Sequence, residues 1–348
     1  MDTKSTIKTN NKTKSFTDGT KLKTLNSNQT INVMGSSSSS HNNKMGTVEG
    51  SGNKKHPSKA RVSPAPRRPV LGLHVPVRAE GEATCEITGC AVLSPDRAVV
   101  VDNWNQSVKV VSTNPSSPGV LLHRKLDGRP FDVTIVPGDK MAVTIPEKNK
   151  IIFTSTQTVI DNRKELEAEH PLQKSLGKGS KCYGIHYEGG FLFVAVQAEK
   201  PKVLMMAFEG EEVREFSHEA MEDPRYLTVI GSEIFVSNSE RIVHFSYKTQ
   251  AKRTEETEEK ETLTIALISE KNPKGIVAFQ NKLMICSEGK GDIHINTFAF
   301  LSLSLFRRVV LQQDRPLGIC YCPDRGVIYV SKARVSGNSA NFLTACRI

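Results

Sequence analysis

The chain is poor in aromatic side chains, 6% of its 348 residues, and holds a single tryptophan, Trp104. Its seven cysteines (Cys85, Cys90, Cys182, Cys286, Cys320, Cys322 and Cys346) include no C-x-x-C pair, and its nine histidines form no H-x-H or H-x-x-x-H pair. An odd, scattered set of thiols excludes a disulfide framework and a structural zinc site. Their places inside apolar runs suit buried free thiols in a reducing compartment. No run approaches the ~20 apolar residues that span a bilayer, and no basic-then-apolar leader with a cleavage site is seen. G-x-S-x-G, P-loop and dinucleotide fingerprints are also missing. These absences argue for a cytoplasmic, non-enzymatic protein with no cofactor, no metal, no membrane partner and no small-molecule substrate.

The formal charge of +10 is not evidence of a basic fold. Residues 1–68 contain thirteen Lys and Arg against Asp2, Asp18 and Glu49, which accounts for the whole excess. Residues 69–348 carry 34 basic and 34 acidic side chains and are neutral. The first segment is rich in Lys, Thr, Asn, Ser and Gly and has too little apolar surface to offset chain entropy. It is expected to be a disordered tail, and its basic cluster around Lys54 to Arg68 could serve as a nuclear address.

What the remainder does have is a repeat. A turn, often with Pro, leads into an apolar strand; a second strand, a polar hairpin and a third strand follow. The copies start "EITGCAVLSPDRAVVVDNWNQSVKVV" (86–111), "RPFDVTIVPGDKMAVTIPEKNKIIF" (129–153) and "KCYGIHYEGGFLFVAVQAEKPKVLM" (181–205). They continue with "DPRYLTVIGSEIFVSNSERIVHF" (223–245), "NPKGIVAFQNKLMICSEGKGDIHI" (272–295) and "RPLGICYCPDRGVIYVSKARVSGNSANFLTA" (315–345). Gly89, Asp132, Gly184, Tyr226, Gly275 and Gly318 fall at equivalent places, 43, 52, 42, 49 and 43 residues apart. A period in the forties built from short alternating or continuously apolar strands predicts an all-β, six-bladed β-propeller over 69–348. Glycine at four of these places suits innermost strands crowded at a common axis. The last copy supplies only a third strand, so "VLGLHVPV" (70–77) is expected to close the ring as the outer strand of the sixth blade. Two long insertions remain, 154–178 and 248–262, and the second, where "TEETEEKE" repels itself, reads as a solvated loop.

The blades lack WD dipeptides and kelch glycine pairs. Asp102-Asn103-Trp104-Asn105 followed by "SVKVV" resembles the D-x-x-N hairpin of NHL repeats. "GCAVLSPDRAVVVDNWNQSVKVV" with "PFDVTIVPGDKMAVTIPEKNKIIF" is similar to the C-terminal propeller of tripartite-motif (TRIM-type) proteins. That resemblance implies a module that recognises protein substrates or RNA, usually joined to a RING, B-boxes and a coiled coil. Residues 1–80 contain no cysteine and no heptad pattern precedes the repeats, so only the recognition half is implied for this chain.

Candidate binding residues come from the turns that symmetry gathers at one end of the axis. Arg129, Lys181, Arg225, Lys274 and Arg315 stand within three residues of their anchors, and blade one has Glu86 there instead. A basic rim on a neutral domain would focus positive potential at one mouth. With Phe131, Tyr183 and Trp104 as exposed aromatics, and Asn105 beside Trp104, it would accept an acidic protein surface or single-stranded RNA. Ordinary solvated turn residues are the plainer reading of the same pattern. A lactonase-type metal site on the axis would draw on Glu86, Asp132 and Asn238, although Asp132 is the sole carboxylate among the anchors; its plainer role is a strand-end hydrogen bond.

Overall fold

The computed structural model describes residues 32–33, 70–155, 179–207, 212–247, 263–269, 272–280, 282–288, 292–299, 302–312, 315–334 and 338–348. Among these residues the regular structure is β-strand apart from two 3-10 turns, Pro146–Lys148 and Asn338–Asn341. The tail reading therefore lies outside the described residues, except that Asn32–Val33 pairs in parallel with the outer strand Leu263–Ser269. Both insertion readings also fall outside them, beyond Ser155 and over 248–262.

Each repeat folds into its own antiparallel sheet, laid out in chain order from the inside outward. Blade one runs Ile87–Ser94, Arg97–Asp102, Ser107–Ser112 and Gly119–Lys125. The innermost strands of the later repeats are Val133–Val136, Lys181–Glu188, Tyr226–Ile230, Pro273–Phe279 and Pro316–Cys322. Successive innermost strands pack side by side, and the last meets the first, so the arrangement is a closed ring.

Five of the sheets contain a complete four-stranded blade, one fewer than the repeat predicts, and the sheet of the fourth repeat adds Asn32–Val33 as a fifth strand. The second repeat has three strands among the described residues, Val133–Val136, Lys140–Ile145 and Lys150–Ser155. Its sequence differs where the others turn toward an outer strand. After Ser155 comes the longer of the chain's two insertions, in place of the short "TNPSSP" turn of blade one.

Ring closure follows the sequence reading. Val70–Pro76 forms the outer strand of the last blade, antiparallel to Phe342–Arg347, with His74 opposite Thr344 and Val75 opposite Leu343. Asn341 then ties this strand to blade one. Its carbonyl accepts from the Val77 N–H at 2.9 Å, and its side-chain oxygen accepts from the Cys85 N–H at 3.0 Å.

The core lies between blades. Val99, Val101, Val108 and Val110 of blade one pack on Met141, Val143 and Ile145 of the next. Middle strands are thus covered on both faces, which is why they read as unbroken apolar runs and not as alternation. At the axis the packing is tighter still. A Cβ at Gly275 would sit 2.4 Å from the Leu317 carbonyl oxygen, and one at Gly89 would sit 2.5 Å from the Asp132 carboxyl. Gly184 and Gly318 face the next strand in the same way. Hydroxyls stitch neighbouring blades: Thr144 Oγ1 donates to the Tyr183 carbonyl at 2.6 Å, and Ser331 Oγ donates to the Ile87 carbonyl at 2.6 Å. All seven cysteines are buried free thiols.

Candidate functional site

One end of the axis opens into a depression of about 360 Å³. Arg129, Phe131, Lys181, Tyr183 and Arg225, all expected from sequence, meet there with Glu86, Thr88, Asn103, Glu147, Tyr226 and Leu317. Its floor is aromatic. The Phe131 ring lies 5.0 Å from Tyr183, edge to face, and 4.9 Å from Tyr226. These contacts change the expectation for two of the aromatics: Tyr183 is buried and Phe131 half-buried. The outer face of Tyr183 is also taken, because the Arg225 guanidinium sits 4.2 Å above the ring. A half-buried inner strand in a ring of strands has neighbours on both sides, and the aromatics pack on one another in preference to solvent.

The basic rim is uneven. Arg129 and Lys181 are exposed at the edge, and Arg225 is held by Asp223 at 3.0 Å. Lys274 and Arg315 do not reach the depression. Both converge on Glu288, at 3.3 Å and 2.8 Å, and share one carboxylate between them. Burial opposes ionisation of Glu288, but Arg315 and Lys274 outweigh it and hold its carboxyl below the ordinary range. Glu86 and Glu147 add negative charge to the lining, so the mouth mixes both signs over an aromatic floor.

Trp104 stands outside the depression. It is 46% exposed on the hairpin between Arg97–Asp102 and Ser107–Ser112. The Arg334 guanidinium, from the loop after Val327–Lys332, lies 3.5 Å over its ring. Asn105 serves the hairpin itself. Its Nδ2 donates to the Thr84 carbonyl at 2.7 Å and to Asp102 Oδ2 at 2.8 Å. Asn103 is the hairpin's link to the mouth, donating from Nδ2 to the Pro130 carbonyl at 2.9 Å.

The D-x-x-N motif hides a residue that sequence reasoning passed over. Lys109, in "SVKVV", is fully buried. Its Nζ donates to Asp102 Oδ2 at 2.6 Å, Glu82 Oε2 at 2.5 Å and the Val77 carbonyl at 3.0 Å, with Cys85 Sγ at 3.5 Å. Burial disfavours both charges, yet each partner outweighs it. Asp102 is held below the usual carboxylate range and Lys109 above the usual ammonium range. Glu82, Cys85 and Asp102 are close enough to ligate one ion, but the ammonium already sits among them. The available signal was a lone charge inside a valine run, which needs a buried carboxylate partner.

Glu86, Asp132 and Asn238 do not assemble into a metal site. Glu86 lines the mouth. Asn238 caps its own hairpin, accepting from the Arg241 N–H at 3.0 Å and donating to the Ala220 carbonyl at 2.7 Å. Asp132 makes the strand hydrogen bonds of its plainer reading, accepting from the Val133 N–H at 2.9 Å and the Ile185 N–H at 3.1 Å. Burial pushes its carboxyl up to about 7 against those two amides.

No family model and no curated protein matches the chain. Solved structures do. A luciferin-regenerating enzyme superimposes with a TM-score of 0.54 at 11% identity, covering 80% of this chain and 94% of that one. The β-propeller domain of Cps50 (Swd1) from Myceliophteria thermophila superimposes at 0.52 with 12% identity, covering 75% and 82%. At such identities the likeness is one of fold. Among the described residues no helix is long and apolar enough to cross a membrane. The chain is an all-β propeller.

Proposed function

We propose that this propeller is a non-enzymatic recognition scaffold that binds protein partners at the mouth lined by Arg129, Lys181 and Arg225. The observation that carries the reading is the convergence of those three cations with Glu86 and Glu147 over the Phe131, Tyr183 and Tyr226 floor. A mixed-charge rim around an apolar centre suits a folded or peptide partner, with the rim setting register and the centre excluding water. The likeness to TRIM-type NHL propellers would make it the substrate-recognition half of a ubiquitin-pathway protein.

Single-stranded RNA is the second reading, because the rim would also meet phosphates. The aromatics favour protein over RNA. Base stacking needs an open ring face, whereas Arg225 covers Tyr183 and Arg334 covers one face of Trp104. The test is a crosslinking pull-down with and without ribonuclease, using wild type and the triple variant Arg129→Glu, Lys181→Glu, Arg225→Glu. Protein partners that survive ribonuclease and vanish from the variant are expected. Partners lost to ribonuclease, with binding that falls steeply with salt, would establish the RNA reading instead.

A further inference from the structure

The opposite end of the axis holds a second cavity, of about 410 Å³. It opens between the far halves of the innermost strands and shares Asp132 with a void of about 20 Å³ on the axis itself. Its walls mix apolar side chains, Val92, Ile135, Val277 and Ile319 among them, with about as much polar surface, and the Tyr321 ring stands at one side. Two carboxylates, Asp132 and Asp324, and the His186 imidazole line it, and no Lys or Arg does. The two ends of one axis thus differ in chemistry: the first gathers cations and carboxylates over an aromatic floor, and the second presents a buried acid with no Lys or Arg beside it.

We propose that this second cavity binds a small organic cation, an apolar molecule with one ammonium group, and that Asp132 is its counter-ion. The volume is that of a ligand pocket. Each Asp132 oxygen accepts one backbone N–H and keeps a second lone pair for an ammonium donor. An aromatic wall adds favourable contact with a cation. A divalent metal fits less well. It wants several oxygen ligands, and among the described residues the one cluster of three metal-type side chains is Glu82, Cys85 and Asp102, away from this cavity.

The groups that face Asp132 support an acid waiting for a counter-charge. Cys90 comes from blade one, His186 from the third repeat, Tyr226 from the fourth, and Cys320 and Asp324 from the last; none is a fixed cation. Burial pulls the His186 imidazole down to about 4, so it stays neutral near pH 7. Burial likewise leaves Asp132 divided between its two forms near neutrality. Tyr226 is buried and its hydroxyl has no hydrogen-bond partner; it lines the same axial void as Asp132.

Calorimetric titration of the full chain with phenethylammonium chloride, and with the neutral isostere 2-phenylethanol, tests this assignment. An ammonium ligand selects the ionised carboxyl, so its affinity should rise about tenfold from about pH 6 to about pH 8. The alcohol should show no such rise. Asp132→Asn should remove the preference for the amine while sparing alcohol binding; should that variant not fold, the wild-type pH series decides alone. Equal affinity for amine and alcohol near pH 8, or no heat from either at millimolar concentration, would overturn the proposal. Displacement of the amine by calcium chloride would overturn the organic cation in favour of a metal.

Discussion

Replacing Lys109 by methionine is the sharpest probe of how the ring is held shut. The substitution keeps length and apolar stem but removes the ammonium that Asp102 and Glu82 share at 2.6 and 2.5 Å. Asp102 is wholly buried and Glu82 nearly so, so water cannot take over. Leaving buried carboxylates without their cation costs about 3–5 kcal/mol. For a domain of this size each kcal/mol lowers Tm by roughly 2–4 °C, so a fall of roughly 10 °C is expected. The pH dependence should change sign as well. In wild type Asp102 has a depressed folded value. Its contribution is present above the unfolded value of about 3.9 and is lost only as pH falls through the folded one. Lys109 has a raised value, so its contribution is full below about 10.4 and fades only at higher pH. Without the ammonium, burial, the largest influence on Asp102, is opposed only by hydrogen bonds from Asn105 and the Glu86 N–H, and it is expected to raise the carboxyl. The variant should therefore gain stability as pH drops from about 7 to about 5, where wild type is flat in this contribution. Differential scanning calorimetry across that range reads both effects. A variant that melts within about 2 °C of wild type at pH 7 would refute the reasoning, because it would mean the carboxylates find other partners at no cost.

Removing residues 70–76 should strip the outer strand from Phe342–Arg347 and lower the melting temperature of the whole domain; retention of the wild-type transition would show that the last blade stands without it. Gly275→Ala would place a methyl group 2.4 Å from the Leu317 carbonyl oxygen, and a loss of at least about 1–3 kcal/mol in urea unfolding is expected. Glu288→Ala should free Lys274 and Arg315 and raise the salt concentration needed to elute the protein from a heparin column, while an unchanged elution point would mean those cations lie outside the reach of polyanions.

The parts of the fold that sequence made legible are those governed by period and sterics. The glycine places announced close approach at the axis, and the structure puts their missing Cβ atoms against the next strand. The strand-like stretch before the first repeat announced closure because the last repeat was one strand short. Charge pairing was less legible, since partners come together from different blades. Arg315 belongs to the last repeat and Glu288 to the hairpin of the one before, and no spacing rule joins them. Nor does composition reveal that Tyr183 turns its ring under Arg225. The Lys109 triad lay between these extremes: a cation among valines signalled a partner, but the hairpin motif around it invited a reading of turn chemistry alone.

The glycines at the axis also limit where new chemistry could arise in this protein. Four of the six equivalent places have surrendered their side chains to let the strands meet, and of those six places only Asp132 and Tyr226 still carry a functional group. At those six places a change of ligand must therefore be written at Asp132 or Tyr226, or begin by prying neighbouring strands apart. Loops at either end are free of that restriction, so recognition at the rims can diversify while the centre stays nearly mute.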